Sequence, residues 1–326
     1  MNDAQRQLLG YLADGAIHSG TVLAAHMGMS RTGIAQHMGR LRSAGWPIEA
    51  VPGRGYRLHS HCRPLDRASL ERAMYAWRHR VAALECLDAV DSTSTYLDNA
   101  ALTADGRVHV CIADAQSRGR GRRGRHWVAV PGRAITFSLG RRIERPRGEL
   151  GGVGIAAGVG LAEAMHEVGI PEVAVKWPND LVRWCNLSKL GGILVEVRRE
   201  AAGHGRLILG VGINHGPHPA SEDQAVTDVT ALMQGEPPER SELAGRLVGA
   251  CIDALDEVMT RGLDAILARY RAFDALAGRR VRVTLDRASI DGVSHGLGSD
   301  GSLCIEDDRG HIHHLHSGDV SVRPRS

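Results

Sequence analysis

The chain has 326 residues, of which 43% are hydrophobic and 24% charged, a composition that fits a soluble globular protein of two or three domains at roughly 150 residues each. No stretch approaches the roughly 20 apolar residues needed to cross a bilayer, and the opening MNDAQRQLLG lacks the basic and apolar regions of a secretory signal. Six cysteines are scattered without a CxxC pair, as expected for reduced thiols in a cytoplasmic enzyme or regulator that has no membrane partner.

The net charge of +3 is local. Residues 1–60 hold six arginines against three acids, and the remainder balances at 34 to 34. AQRQLLGYLAD (4–14) and GTVLAAHMG (20–28) have the apolar spacing of short amphipathic helices. Ser30 can cap a third helix, RTGIAQHMGRLRSAG, and the strands PIEAVP and GYRLHS follow around the turn Gly53-Arg54-Gly55. Three helices and a hairpin make a winged helix-turn-helix over 1–62, whose third helix enters the DNA major groove. Ser30, Arg31, Thr32, Gln36, His37, Arg40 and Arg42 are the candidate DNA contacts, with Arg54 on the wing reaching phosphate. Winged helices also mediate protein contacts; the local basic excess favours DNA.

CRPLDR (62–67) reads as a linker. Residues 63–275 alternate apolar strand-like runs with helical ones, a mixed α/β domain. The final segment, 276–326, carries short strands between turn residues and suits a small SH3-like β-barrel or a sandwich. The fold class is therefore α+β, in three domains.

Within the central domain, SRGRGRRGRHW (117–127) holds five arginines and three glycines. It reads as a nucleic-acid arm, a linker, or a loop closing over a small phosphate-bearing ligand. DSTSTYLDN (91–99) offers hydroxyls that either cap a helix or serve as donors in a pocket. Of 40 basic residues only Lys176 and Lys189 are lysine, in KWPNDLV and SKLGGILVEV. A lysine is a movable point charge where arginine is a rigid fork, and the two lie 13 positions apart. Lys176 with the turn carboxylate Asp180 resembles a phosphate and Mg²⁺ arrangement, although Pro-Asn-Asp is also an ordinary turn. Gly191 and Gly192 let a ligand approach the backbone, and LILGVGINHG ends with the amide of Asn214.

Two further patterns point elsewhere. GxGxxA at 152–157 lacks the preceding buried strand and the later acid of a dinucleotide site, so helix packing explains it better. HIHHLH (311–316) would alternate His311 and His313 with His314 and His316 on a solvated strand, metal binding being the lesser reading.

DSTS, QSRGRGRRGRHW, KWPNDL, KLGGILVE and GVGIN occur in the order and spacing of biotin protein ligases, and with the winged helix in front the chain resembles the bacterial ligases that double as biotin operon repressors. The resemblance covers essentially the whole chain. It implies biotin and ATP with Mg²⁺, a biotinyl-5′-adenylate intermediate, and transfer to one lysine of the biotin carboxyl carrier protein of acetyl-CoA carboxylase. It also implies an adenylate-loaded homodimer on operator DNA. Carried over residue by residue, biotin contacts fall on Ser92, Thr93, Ser94, Gln116, Arg120, Gly121, Arg122 and Lys189, with Gly191 and Gly192 lining the pocket. ATP contacts fall on Arg120, Arg122, Arg123, Lys176, Asn179, Asp180, Lys189 and Asn214. Of these, Arg122, Lys176, Lys189 and Asp180 are the catalytic candidates, and Asp180 is the Mg²⁺ candidate. The chain departs from the family at Ser94, commonly Asn, in two extra residues within VRWCNLS, and through 215–229, where no adenine contact is carried over. Ligases for lipoate or octanoate share the catalytic fold, but the winged helix and GRGRRG argue against them. A ligand-sensing transcription factor without catalysis is the remaining alternative, disfavoured by the intact charged set.

Overall fold

A computed structural model describes residues 1–59, 62–144, 152–199, 204–219, 224–285, 289–316 and 321–324. Asn2 caps α1 (Asp3–Leu12) by accepting from the Gln5 amide. α2 (Gly20–Met27) stops at Gly28, whose φ of 60° is a left-handed turn natural to glycine. Ser30 then accepts from the Gly33 amide and starts α3 (Arg31–Ser43). β1 (Ile48–Val51) and β2 (Gly55–Leu58) pair antiparallel as the wing. Leu8, Leu12, Leu23, Ile34, Met38, Leu41 and Trp46 form the core beneath them, so the winged helix expected from the sequence is present.

The linker expectation fails at its buried end. Cys62 and Leu65 are buried, and a buried backbone must find partners. The Leu65 amide donates to both oxygens of Asp114, at 3.1 and 3.2 Å, and Arg240 donates to the Arg63 carbonyl at 2.7 Å while ion-pairing with Asp114. The segment is a fastened strap.

α4 (Arg67–Ala73), capped by Asp66, leads into the central domain. Its elements are β3 (Val81–Val90), α5 (Thr93–Asp98), β4 (Val108–Gln116), β5 (Ala134–Glu144), α6 (Gly152–Glu167), β6 (Val173–Lys176), β7 (Asp180–Arg183), β8 (Lys189–Arg199), β9 (His204–Asn214), α7 (Val229–Leu232), α8 (Arg240–Arg261) and α9 (Asp264–Phe273). The sheet order is β3-β4-β5-β9-β8-β7-β6, with β3 and β4 parallel and every other neighbour antiparallel. β7 was not legible as a strand, because its four residues follow directly on the Pro-Asn-Asp turn.

α6 is buried along nearly its whole length, between the sheet and α8. A Cβ at Gly152 would lie 2.9 Å from the Leu263 side chain, and one at Gly154 3.5 Å from that of Val195. The GxGxxA run therefore belongs to a helix-packing surface, as the sequence analysis preferred.

The last domain holds β10 (Arg280–Thr284), β11 (Ser289–Leu297), β12 (Leu303–Asp307), β13 (Ile312–Leu315) and β14 (Ser321–Pro324), antiparallel in the order β13-β12-β11-β10-β14. The small β domain expected of 276–326 is thus present, and among the described residues β13 and β14 stand at the two ends of the strand order. His311 and His313 both face Asp307, at 3.6 and 2.9 Å, while His314 faces Ser302 and Cys304. The alternation holds, and no group of three potential metal ligands forms among the described residues.

Candidate active site

A cavity of about 840 Å³ opens where the end of β4, the start of α5, the loop 117–128, the β6–β7 hairpin, β8 and β9 converge. It has a neutral polar end and a charged end.

The neutral end is built on α5. Ser92 caps the helix by accepting from the Thr95 amide at 3.4 Å, so the capping reading of DSTS holds. Its neighbours also line the cavity. Thr93 Oγ1 lies 2.8 Å and Ser94 Oγ 3.0 Å from Ser138 Oγ, and Gln116 Oε1 accepts from the Thr93 amide at 2.8 Å. These hydroxyls are buried. Gly210 makes room for them, since a Cβ there would sit 2.7 Å from Ser94 Oγ. Ser138 was missed in the sequence; its signal is a pair of hydroxyl residues, Thr136 and Ser138, set at alternate positions in the otherwise apolar start of β5.

The Arg/Gly loop is docked on this cavity as a narrow hairpin. The Trp127 amide donates to the Gly119 carbonyl at 2.9 Å, and the Gly121 amide to the Arg125 carbonyl at 2.8 Å. A Cβ on Gly119 would lie 2.3 Å from the Trp127 carbonyl, so only glycine fits there. Three anchors hold the loop. Arg120 pairs with Glu196 of β8 at 2.6 Å, Arg122 donates to Asn179 Oδ1 at 3.1 Å, and Trp127 lies on Gly212 of β9, its indole N–H buried and without a partner among the described residues. Burial pulls the Arg122 pKa down, and the nearby Asp180 charge works against that pull. Arg123 lines the cavity at a left-handed φ of 58°.

At the charged end, Lys189 Nζ lies 2.8 Å from Asp180 Oδ1, each side chain 17% exposed. Lys176 lines the same wall from the end of β6. Asn179 is held by donating to the Ile193 carbonyl at 3.0 Å, which turns its own oxygen toward Arg122. Asn214 donates to the Thr227 carbonyl at 3.0 Å, and its buried Oδ1 has no partner among the described residues. Gly192 lies beneath the Lys189–Asp180 pair. Gly191 does not line the cavity; it packs under Ile213, where a Cβ would come within 2.4 Å.

Trp127, Asn186, Leu187, His218 and the 224–226 stretch also line the cavity. Residues 225–227 pair with the start of β8, the Lys189 amide donating to Ala225 and the Thr227 amide to Lys189. That stretch carries no recognisable motif and so no local signal of its place in the site. In the winged helix, Ser30, Arg31, Thr32, Gln36, Arg40, Arg42 and Arg54 are exposed and His37 is half-buried. No helix among the described residues is long and apolar enough to cross a membrane.

Three family models match the chain: the biotin/lipoate A/B protein ligase family over residues 86–214, an HTH domain over 4–57 and the biotin protein ligase C-terminal domain over 277–323. The bifunctional ligase/repressor BirA of Salmonella typhimurium is 33% identical over 318 residues, covering 97% of this chain and 96% of that protein. The biotin–[acetyl-CoA-carboxylase] ligase of Mycobacterium tuberculosis is 31% identical over 249 residues, covering 74% of this chain and 90% of that one. Among solved structures, the biotin protein ligase from Aquifex aeolicus in complex with biotin and ATP superimposes with a TM-score of 0.63 at 25% identity, covering 75% of this chain and 100% of that chain.

Proposed function

The chain belongs to the biotin protein ligase family, in the branch that carries a DNA-binding domain, and we propose that this cavity serves both of that branch's activities. The enzyme joins biotin to ATP as biotinyl-5′-adenylate and transfers the biotin to a lysine of the biotin carboxyl carrier protein. It also represses the biotin operon. The observation that carries the site assignment is the cavity's division into a buried hydroxyl–amide end and a cationic end.

The neutral end suits the ureido ring of biotin, which brings two N–H donors and a carbonyl acceptor. Ser92, Thr93, Ser94 and Gln116 would take those groups. A lipoyl dithiolane has no hydrogen-bonding atoms and would leave buried polar groups unpaired, a large penalty for the wrong substrate. The carboxylate then points toward Lys189 and the loop arginines.

In the first step a carboxylate oxygen attacks the α-phosphorus of ATP and pyrophosphate leaves. Both reactants are anions, so the site must offset their repulsion and the charge gathering on the phosphoryl oxygens. Arg120, Arg122 and Arg123 bring forked cations, and Lys176 and Lys189 movable ones. Lys189 starts against Asp180; an arriving carboxylate or phosphate competes for it and leaves Asp180 open. A single carboxylate fits Mg²⁺, which takes one or two protein carboxylates and fills its shell with phosphate and water. When bound there, the cation would supply neutralisation of phosphate charge. The open acceptor of Asn214 would take a donor from the nucleotide. The docked Arg/Gly loop keeps water from the mixed anhydride. In the second step the carrier lysine, as the neutral amine, attacks the acyl carbon and AMP leaves.

For repression, the exposed face of α3 reads the major groove and Arg54 holds phosphate. Adenylate-loaded copies pair, and the two winged helices match a two-fold operator. Free thiols at all six cysteines accord with work in the reducing cytoplasm.

The test is exchange of labelled pyrophosphate into ATP. Biotin should drive the exchange and lipoate should not; exchange driven by lipoate alone would sink the assignment. A gel shift on the biotin operator should require biotin and ATP together, and one indifferent to both would remove the link between ligand and repression.

A further inference from the structure

The hairpin that carries Lys176, Asn179 and Asp180 is held from behind by the last domain. Trp177 follows Lys176 and is buried. Its indole N–H donates at 3.0 Å to the carbonyl of Gly301, in the turn between β11 and β12. That turn is itself wedged in place, since a Cβ on Gly301 would come within 2.9 Å of Ile155 and 3.0 Å of Leu263.

A second tether grips the backbone beside it. The Ala275 amide donates to the Val175 carbonyl at 3.0 Å, pairing the α9–β10 connection with β6. The Tyr270 hydroxyl donates to Asp274 Oδ1 at 3.3 Å, and the Leu276 amide donates to the same oxygen at 2.9 Å. Tyr270 and Asp274 are 1% and 3% exposed, too deep for solvent to substitute for either bond. The buried phenol thus braces the Asp274 carboxylate, which holds the turn whose Ala275 amide grips the Val175 carbonyl, one residue before Lys176.

We propose that Tyr270 and Asp274 are positioning residues for adenylate formation, fixing Lys176 and Asp180 toward the nucleotide through the backbone of Val175. Neither touches the cavity; they act one residue behind Lys176. The proposal rests on the reading of this hairpin as the nucleotide side of the site. It gives the last domain a part in the first chemical step, because the Gly301 turn holds the Trp177 side chain while the turn at Asp274, at the end of the central domain, holds the Val175 backbone. Displacing a positioned group by a fraction of an ångström lowers the rate without removing any reacting atom.

Tyr270→Phe keeps the ring and its packing and deletes only the hydroxyl. In the full-length protein, biotin-driven pyrophosphate exchange should show the KM for ATP raised about three- to tenfold, the worth of one net hydrogen bond, with the KM for biotin unchanged. Trp177→Phe, which deletes the indole N–H together with part of the buried ring system, should give the same split by the other tether. Ordinary core packing would instead lower the thermal midpoint and leave both KM values alone, and that result overturns the proposal. A rise in the KM for biotin with ATP unaffected overturns it too, and shows that the hairpin does not face the nucleotide. If Trp177→Phe fails to fold, the ratio of the two KM values in Tyr270→Phe decides alone.

Discussion

The winged helix and the ligand cavity use positive charge in opposite ways. Arg31, Arg40, Arg42 and Arg54 are exposed and make no ion pair among the described residues. Arg120 and Lys189 in the cavity are each paired with an acid, and Arg122 is tied to Asn179. Unpaired surface arginines suit a polyanion whose counterions they displace, an attraction that falls steeply with salt. Paired interior cations suit a single small anion, which must be placed well enough to displace the carboxylate already present. Such pairs are also screened far less by salt. The molecule thus separates long-range attraction from exact placement.

The largest expected effect comes from breaking the interior arrangement. Lys189→Ala should lower biotin-driven pyrophosphate exchange by about 10²–10³, the scale for losing one donor at a developing oxyanion. Lys189→Arg should recover little of it, because a rigid fork against Asp180 cannot follow the charge as an ammonium does. Binding of the unliganded variant to nonspecific DNA should stay as in the parent. Full exchange activity in Lys189→Ala would remove this residue from the site.

Between the two regions lies a third kind of cation. Arg240 is 2% exposed and reaches Asp114, the Ala134 carbonyl and the Arg63 carbonyl together. It joins the strap after the winged helix to the sheet that carries Gln116. Removing one member of a buried pair strands the other, at a cost of about 3–5 kcal/mol. Arg240→Leu should therefore lower the unfolding free energy by about that amount in urea titration, and limited proteolysis should cut near residues 62–66. A loss of less than about 1 kcal/mol, the range of an exposed pair, would make this clasp no different from the surface arginines.

Breaking the surface arrangement should cost less per residue. Arg40→Ala, Arg42→Ala and Arg54→Ala should each weaken operator binding by about 1–3 kcal/mol if the side chain meets a base edge. For a phosphate contact, each should instead reduce the salt slope of binding by about 0.9. Exchange activity should not change in any of them. A variant that binds more weakly with an unchanged salt slope would place that arginine on bases.

How much of this was legible in the sequence follows the same division. The winged helix was readable because its signals are local: the Ser30 cap, the Gly28 stop and a two-strand wing around Arg54. The cavity walls were readable where motif residues lie together, as in DSTS and KWPND. His218 and the 224–226 stretch lie outside every motif and reach the cavity only because of the strand order. The strap looked like a linker because Arg240, its chief partner, is 177 residues away from Arg63. A separation of 124 residues likewise hid the tether from Trp177 to Gly301. Charge counting alone would have sent the Arg/Gly loop to DNA, and only its position within the central domain corrected that.

The smallest expected effect sharpens the comparison at the seam where the two regions touch. Cys62 is fully buried and accepts from Arg133 Nε at 3.2 Å. Pro131 and Gly132, next to Arg133, lie against Gly45 and Trp46 at the end of the recognition helix. Burial pushes the Cys62 thiol up, and Arg133 offsets part of that rise. Alkylation requires the thiolate and access, so exposed Cys185 should react first. Cys86, pushed up to about 11 by burial, and Cys111, pushed up to about 12, should lag on thiolate grounds. Cys62 reacts only when the seam opens, and that opening is opposed by Arg6, which pairs with Asp88 and donates to the Leu65 carbonyl at 3.1 Å. Arg6→Ala should therefore speed Cys62 alkylation several-fold and leave Cys251, sealed in the central core, at its parental rate. Peptide mass spectrometry after a timed pulse of iodoacetamide reads both sites in one sample. If Cys62 stays as slow as Cys251, the seam does not open locally and the two regions move as one body. If both accelerate together, Arg6 supports the whole fold and the seam is not a separate joint.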